Sequence, residues 1–186
     1  PFDNLSFAQV LEVGAHNGEH LRYVRHSFLR YQMIDVLPME SRLLESLPSN
    51  VSFELMDATK LTYEDNYFDR VILTCVLHHV LSLENVLGEL RRVLKSGGTL
   101  SLLVPCDPGI GYRVFKELTS GFMAMKSRKY RQMKIFHARE HRNHFWSINQ
   151  NIRDVFKADN IQAKYYPLGV KSWNLNLLTY WKIRKI

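Results

Sequence analysis

The chain has 186 residues, of which 46% are apolar and 23% charged, the composition of a globular protein with a single core of good size. No apolar run approaches the roughly 20 residues that span a bilayer, and no secretory signal pattern opens the chain. The two cysteines, Cys75 and Cys106, show no metal-ligand spacing, so a reduced, cytoplasmic setting is expected.

The formal net charge of +7 is concentrated in one segment. Residues 113–142 carry nine basic side chains against two acidic ones, whereas the rest of the chain has equal numbers of both. Any association driven by charge is therefore expected to involve this segment. The basic residues are Arg113, Lys116, Lys126, Arg128, Lys129, Arg131, Lys134, Arg139 and Arg142.

The predicted elements alternate between strands and helices. A first strand containing Val10, Leu11 and Val13 runs into a turn with Gly14 and Gly18, and apolar spacing predicts an amphipathic helix over 19–28. The further predicted strands are 31–34, 51–56, 69–76, 99–104, 161–166 and 175–183. The further predicted helices are 39–47, a helix capped by Ser82 and ended by Gly97 and Gly98, and 149–158.

This alternation predicts an α/β protein with a Rossmann-like, seven-stranded, mostly parallel sheet and helices on both faces. The last two strands would form a terminal hairpin that completes the sheet. Residues 107–145 depart from the alternation, because they are basic, rich in aromatic residues and methionine, and contain no clean strand pattern. The predicted organisation is one domain, 1–186, with a basic lid inserted at 107–148 after the fifth strand.

Polar residues fall at the carboxyl ends of the predicted strands, where open α/β sheets bind their ligands. These residues are Glu12, Asp35, Asp57 and Thr74. A buried strand, a glycine turn and a helix start would direct backbone N–H groups at an anionic or zwitterionic cofactor. The carboxylate of Glu12 argues against a phosphate as the main guest and suits an ammonium or sulfonium group.

Several stretches resemble the class I S-adenosylmethionine-dependent methyltransferases, especially the small-molecule methyltransferase-domain type. They are VLEVGAHNG at the first strand, Asp35 after the second strand, MDA at 56–58, and the long stretch from Tyr67 to Pro105. The resemblance implies S-adenosylmethionine as the cofactor and a sheet of seven strands whose last strand is antiparallel.

The resemblance also implies a cofactor site. The glycine turn would surround the methionine part, Asp35 would accept hydrogen bonds from the ribose hydroxyls, and Asp57 would bind the adenine amine. His79 would lie beside the transferred methyl group. The implied cofactor-binding residues are Glu12, Gly14, Ala15, His16, Gly18, Asp35, Val36, Asp57, Ala58, Thr74, Val76 and His79.

Two departures from the family pattern bear on this site. His16 stands where the family usually has glycine, and its side chain would either crowd the methionine end or point to solvent. The family normally has a helix before the first strand that covers the cofactor, and only residues 1–7 precede the strand here. Either that helix is missing from this sequence or the site is more open than usual.

Histidines are the candidate catalytic residues, because methyl transfer needs a general base only when the acceptor holds its proton firmly. His79, His141 and His144 are the predicted catalytic residues; His137 is a further candidate in the lid, and Tyr112 is a weaker one. His141 and His144 are three apart and would share one face of a helix. That spacing could hold a metal ion, but no third ligand is evident and no metal is expected; plain polar lid residues are the alternative.

The basic lid has three interpretations: solvated charge, recognition of an anionic substrate, or attachment to a membrane surface through an apolar stripe. The stripe is Val114, Phe115, Leu118, Phe122 and Met125.

The predicted function is methyl transfer from S-adenosylmethionine to oxygen or nitrogen of a small, sugar- or lipid-linked, anionic acceptor. The alternatives are an RNA methyltransferase that uses the basic segment, although the aromatics follow no RNA-module pattern, and an inactive member that binds a cofactor or partner. The identity of the acceptor and the oligomeric state stay open.

Overall fold

A computed structural model describes residues 4–121, 132 and 141–186 of the chain. Its strands form one seven-stranded sheet in the order β3-β2-β1-β4-β5-β7-β6. The strands are β1 (Ser6–Val13), β2 (Ser27–Asp35), β3 (Val51–Leu55), β4 (Phe68–Thr74), β5 (Leu94–Pro105), β6 (Asn160–Tyr166) and β7 (Leu178–Arg184). The first five strands are parallel, and β7 runs antiparallel to both β5 and β6. The predicted sheet and its terminal hairpin are confirmed.

The helices are short relative to the strands. They are α1 (Ser41–Glu45), α2 (Leu83–Val93), α3 (Ile110–Lys116), which continues into a π-helical turn at Glu117–Gly121, and α4 (Phe145–Val155). The predicted helix at 149–158 therefore begins four residues earlier, directly after His144. In the part of the chain that the structure describes, none of the helices is long and apolar enough to cross a membrane.

Two hydrophobic cores cover the two faces of the sheet. The larger core joins Leu11, Val71 and Leu73 to the buried faces of α2 and α4. The smaller core joins Val10, Tyr31 and Ile72 to the loop after β1 and to Met39. Since neighbouring strand residues alternate between the faces, Val10 and Glu12 point to the smaller core and Leu11 to the larger one.

The predicted helix at 19–28 is wrong. The glycine turn leads into a single 3-10 turn, Leu21–Tyr23, and the chain is extended at Val24. β2 begins at Ser27, where it pairs with Ser6 of β1, so the sheet takes residues that the helix would need. The helically spaced Leu21, Val24 and Phe28 pack against the smaller core without a helix between them. Residues 19–28 therefore place no helix N-terminus beside the glycine turn. Individual backbone N–H groups take its place.

Helix α2 begins as predicted and ends earlier. The hydroxyl of Ser82 accepts the backbone N–H of Asn85 at 3.4 Å, which is an N-cap hydrogen bond. The helix ends at Val93, and Gly97 and Gly98 lie inside the following strand rather than at the end of the helix. Gly98 is required by space, because a Cβ there would come 2.8 Å from the carbonyl oxygen of Lys95.

Candidate functional site

The carboxyl ends of β3, β2, β1 and β4 lie side by side, because these strands are parallel neighbours. Glu12, Asp35 and Thr74 lie at or next to the last residues of their strands, and Asp57 follows β3 by two residues. The structure thus brings the predicted strand-end residues to one edge of the sheet. We call this edge the acidic edge.

Gly14 lies where the turn after β1 contacts both β2 and the loop after β4. The backbone N–H groups of Gly14 and Ala15 donate to the carbonyl oxygen of Ile34 at 2.9 and 3.1 Å. Gly14 has φ +72°, and a Cβ on it would come 2.3 Å from Cγ2 of Val76. Glycine is therefore required here both by backbone conformation and by the close approach of Val76.

His16 occupies a left-handed backbone conformation, with φ +46°, which glycine adopts more easily than any other residue. Its side chain is 61% exposed, and Nδ1 lies 2.9 Å from Oε1 of Glu19. Of the two predicted alternatives, the structure shows the side chain in solvent. The backbone of His16 still contributes to the turn, since its N–H donates to Oδ2 of Asp35 at 2.8 Å.

Asp35 connects three segments of the acidic edge. Its Oδ2 accepts the His16 N–H, its Oδ1 accepts the N–H of Leu37 at 2.9 Å, and its carbonyl oxygen accepts the N–H of Met56 at 2.9 Å. Val36, which lies beside it, is largely exposed. A carboxylate oxygen has more than one acceptor position, so Asp35 can organise the turn and still accept a hydrogen bond from a ligand.

Asp57 and Ala58 follow β3 and face different surroundings. Asp57 is exposed, and its Oδ1 accepts the N–H of Thr59 at 2.8 Å. Ala58 is buried and packs in the larger core. None of the described residues donates a hydrogen bond to the second carboxylate oxygen of Asp57, so this oxygen can accept one from a polar ligand.

Glu12 is enclosed by protein, with only 2% of its surface exposed. Its Oε2 accepts the hydroxyl of Tyr31 at 2.7 Å, and its Oε1 lies 3.3 Å from Nδ1 of His20. Burial and the neighbouring carboxylate raise the pKa of Tyr31, so the phenol stays protonated and donates. Tyr31 and His20 were missed by the sequence analysis, because a core tyrosine and a loop histidine carry no motif.

Three histidines lie close together near the carboxyl end of β4: His78, His79 and His141. We call them the histidine cluster. The ring centroids of His78 and His79 are 3.9 Å apart, those of His78 and His141 4.4 Å, and those of His79 and His141 5.3 Å. The first two follow β4, and the third precedes α4. Two of the three predicted catalytic histidines are thus neighbours in space.

Asn143 locks the two chain segments of the histidine cluster together. Its side-chain amide donates to the carbonyl oxygens of Leu77 and Val80 at 3.0 and 2.7 Å. The backbone N–H groups of Arg142 and Asn143 both donate to the carbonyl oxygen of His78. His141 is therefore placed by backbone and amide hydrogen bonds rather than by side-chain packing alone.

Asp107 completes the histidine cluster, and the sequence analysis missed it. Its Oδ2 lies 2.9 Å from Nδ1 of His141, and its carbonyl oxygen accepts the N–H of Phe145 at 2.8 Å. The hydrogen bond from His141 lowers the pKa of Asp107, and the charges of Lys116 and His144 act in the same direction. A signal was present, since Asp107 follows the carboxyl end of β5 by two residues.

The remaining lid candidates fall in different places. His144 directly precedes α4 and His141 lies three residues further back, so both are outside the helix and the prediction that they share a helix face is wrong. Burial and the charge of Asp107 raise the pKa of Tyr112 to about 12. His137 lies outside the described residues, as do six of the nine basic residues and two members of the apolar stripe. These are Lys126, Arg128, Lys129, Arg131, Lys134, Arg139, Phe122 and Met125. The lid at 107–148 therefore stays a prediction.

Solved structures that superpose on this chain include S-adenosylmethionine-dependent methyltransferases. An S-adenosylmethionine-dependent methyltransferase from Mesorhizobium loti superposes with a TM-score of 0.66 at 14% identity, covering 100% of this chain and 93% of that one. The N-methyltransferase NodS from Bradyrhizobium japonicum, in complex with S-adenosyl-L-homocysteine, superposes with a TM-score of 0.64 at 14% identity, covering 97% and 79%. At such identities the likeness describes the fold alone.

Sequence comparison agrees with the fold. The model of the family described as "Methyltransferase domain" matches residues 11–102. The ubiquinone/menaquinone biosynthesis C-methyltransferase UbiE of Ectopseudomonas mendocina is 42% identical over 69 residues, which are 37% of this chain and 27% of that protein. The polyketide synthase-nonribosomal peptide synthetase ACE1 of Pyricularia oryzae is 33% identical over 106 residues, which are 50% of this chain and 3% of that protein.

The fold and the matched region define a class I methyltransferase fold with its ligand edge at the carboxyl ends of the strands. Residues 11–102 belong to the methyltransferase-domain family, and the fold is that of the class I S-adenosylmethionine-dependent methyltransferases, whose cofactor is S-adenosylmethionine. The chain spans about a quarter of the UbiE relative and a small fraction of the ACE1 relative.

Proposed function

We propose that this chain transfers the methyl group of S-adenosylmethionine to an oxygen or nitrogen of a small, sugar- or lipid-linked, anionic acceptor. The observation that carries the proposal is the pair formed by Asp107 and His141 next to His79. This pair has the residue types and the spacing of a general base with its orienting carboxylate.

The residues of the acidic edge fit the cofactor. Gly14 lets the turn after β1 pack closely against Val76, and Asp35 and Asp57 offer carboxylate oxygens at neighbouring strand ends. Glu12 lies near the end of the strand that leads into the same turn, and its negative charge favours a positively charged guest. The bound cofactor supplies a methyl group already activated by a sulfonium centre, so the protein has to align the acceptor and remove its proton.

His141 is the proposed general base. Asp107 accepts the Nδ1–H of His141, which leaves the lone pair on Nε2 to take a proton from the acceptor. Because the pKa of Asp107 is lowered, its carboxylate stays charged at neutral pH and stabilises the imidazolium that forms. His79 is exposed beside His141 and is proposed to contact the acceptor.

The basic segment supports an anionic acceptor. It holds the whole net charge of the chain, and Arg113, Lys116 and Arg142 are its described members. The charge of Lys116 reaches Asp107, so positive charge borders the histidine cluster. An acceptor with a phosphate or carboxylate would be attracted to this side of the site.

A carbon acceptor is the second candidate. The relative with 42% identity over its matched residues is named as a C-methyltransferase of ubiquinone and menaquinone biosynthesis. Methylation at the carbon of a phenol-like ring also requires removal of a proton, so the same His141 and Asp107 pair would serve. This candidate differs from the first in the atom that receives the methyl group.

The experiment is a methyl-transfer assay with labelled S-adenosylmethionine and matched acceptor pairs. Each pair is an anionic compound and its neutral parent, for example phosphoethanolamine with ethanolamine and a carboxylated phenol with phenol. We expect transfer to the anionic member to be faster. Neutralising Arg128, Lys129 and Arg131 should reduce this preference and leave cofactor affinity unchanged. Equal rates within every pair would contradict the acceptor class, and mass spectrometry of the product identifies the atom methylated.

A failure to form S-adenosylhomocysteine with any acceptor, in a protein that binds the cofactor, would contradict the enzymatic function itself. Such a result would favour the inactive binding member. Methylation of RNA in preference to the small acceptors would instead favour the alternative in which the basic segment binds nucleic acid.

A further inference from the structure

The histidine cluster has the composition and spacing of a transition-metal site. Each of His78, His79 and His141 offers one ring nitrogen, and these three nitrogens all lie within 4.8 Å of one another. A tetrahedral Zn²⁺ ion holds its nitrogen ligands at about 2.0–2.1 Å, which separates them from each other by roughly 3.4 Å. Small rotations of the rings, above all of the exposed His79, would close the remaining gap.

The backbone of the cluster is already fixed in the arrangement that three ligands need. The N–H of His79 donates to the carbonyl oxygen of Val76 at 2.9 Å, which closes the turn that carries His78 and His79. Arg142 and Asn143 bond to the carbonyl oxygen of His78, so the segment that carries His141 is attached to the same turn. An ion would therefore have to order little more than side chains.

Asp107 supplies the second feature of a metal site. Metal-ligating histidines usually donate their other ring N–H to a carboxylate or carbonyl, which fixes the ring and the tautomer. His141 has this partner, because its Nδ1 lies 2.9 Å from Oδ2 of Asp107. Its Nε2 is then the nitrogen that faces an ion with a lone pair.

We propose that His78, His79 and His141 bind a Zn²⁺-type ion, with Asp107 as the positioning residue of His141. Three imidazoles suit Zn²⁺, Cu²⁺ or Ni²⁺, whereas Mg²⁺ and Ca²⁺ prefer oxygen ligands. Three protein ligands leave one coordination position of the ion open for water or another small ligand. From the sequence no metal is expected, since no third ligand is evident beside His141 and His144; His78 and His79 join His141 only in the fold.

The ion would switch off methyl transfer. A ring nitrogen that coordinates a metal has no lone pair left for a proton, so bound Zn²⁺ would withdraw His141 from its role as general base. This consequence rests on the proposed function of His141. The metal site itself does not, since it is argued from ligand geometry alone.

Metal binding is tested first without any activity measurement. The chelator-treated protein is titrated with Zn²⁺ against a fluorescent chelator, and with Co²⁺ as an optical probe of coordination. We expect one ion per chain in the wild type and a loss of affinity of at least roughly ten-fold in His79→Ala and His141→Ala. Asp107→Asn should weaken binding by roughly 10–100-fold.

His144→Ala is the matched control, because His144 lies on the same segment as His141 and is outside the three-histidine group. Its Zn²⁺ affinity should equal that of the wild type. His79 is exposed, so His79→Ala is expected to fold, and its thermal unfolding is compared with that of the wild type to check this. Equal affinity in wild type, His79→Ala and His141→Ala, or no binding by the folded wild type, would overturn the site.

The second arm measures methyl transfer to the best acceptor of the matched pairs as Zn²⁺ is added. We expect activity to fall in step with metal occupancy and to return when a chelator is added. Zn²⁺ binding without inhibition of methyl transfer would overturn the proposed inhibition and the role of His141 as base, but not the metal site. Activity in a protein that binds no ion would overturn the metal site and leave the proposed function intact.

Discussion

The acidic edge and the histidine cluster differ in how the chain assembles them. The acidic edge uses residues at or just after the carboxyl ends of consecutive strands, so each of its members lies beside a recognisable strand end. The histidine cluster joins the turn after β4 to a segment more than sixty residues later, and Asp107 to a residue 34 positions away. The first region is therefore readable from motifs, whereas the second exists only once β4, β5 and α4 are packed together.

The two regions also differ in what they offer a ligand. The acidic edge presents carboxylates and a glycine turn, which suit the binding of a positively charged cofactor. The histidine cluster presents imidazoles beside the carboxylate of Asp107, whose pKa is lowered. These groups suit proton transfer or metal binding. A division into a cofactor region and a proton-handling region predicts that variants in the two regions fail in different measurements.

The largest effect is expected for His141→Gln. Loss of a general base lowers kcat by roughly 10²–10⁴-fold. Asp107→Asn should give a smaller loss, because the base remains but its tautomer is no longer fixed. Both rates are measured at saturating cofactor and acceptor. A kcat of His141→Gln within two- or three-fold of the wild type would contradict the role of His141.

The next effect is expected for Gly14→Ala. The new Cβ would meet Val76 and would sit at φ +72°, so unfolding should become easier by roughly 3 kcal/mol. Gly169→Ala is the matched control, because Gly169 has the same φ and nothing within 4 Å of the added Cβ. It should cost only about 1–2 kcal/mol. Urea unfolding of both variants separates the contact from the strain, and equal losses would contradict the close approach of Val76.

A smaller effect is expected for Asp35→Ala. Removing its carboxylate should weaken cofactor binding by roughly 1–3 kcal/mol, the range of a lost charge-assisted hydrogen bond. Calorimetric titration with S-adenosylhomocysteine measures this effect. Urea unfolding of the same variant is the control, since Asp35 also accepts the N–H groups of His16 and Leu37. Unchanged affinity in a folded variant would place the ribose-binding acid elsewhere.

The smallest effect is expected for His16→Gly. Glycine relieves the left-handed conformation by about 1 kcal/mol, and the exposed contact with Glu19 offsets part of this gain. Stability should therefore rise slightly, and cofactor affinity should stay the same because the His16 side chain points to solvent. A clear gain in cofactor affinity would show that the histidine side chain crowds the methionine end.

The sequence predicts the sheet well because buried parallel strands leave a strong local signal. The apolar run of β4 and the alternation in β6 and β7 are examples, and Ser82 marks the start of α2 by its own hydrogen bond. The predicted helix at 19–28 is wrong although Leu21, Val24 and Phe28 have helical spacing. These residues pack against the smaller core without a helix, because β2 pairs with β1.

The sites divide in the same way. Asp35 and Asp57 are predictable, since each follows a strand that the sequence marks clearly. The hydrogen bond between Tyr31 and Glu12 is not predictable, because it depends on two strands being parallel neighbours with both side chains on one face. The approach of His141 to His78 and His79 depends on hydrogen bonds of Asn143, whose short-range sequence context carries no sign of them.

The most direct test of the division between the two regions is calorimetric titration of the wild type, Asp35→Ala and His141→Gln with S-adenosylhomocysteine. We expect the wild type and His141→Gln to bind with equal affinity and Asp35→Ala to bind more weakly. Absence of binding by the folded wild type, or a loss in His141→Gln as large as that in Asp35→Ala, would contradict the separation of cofactor binding from proton handling.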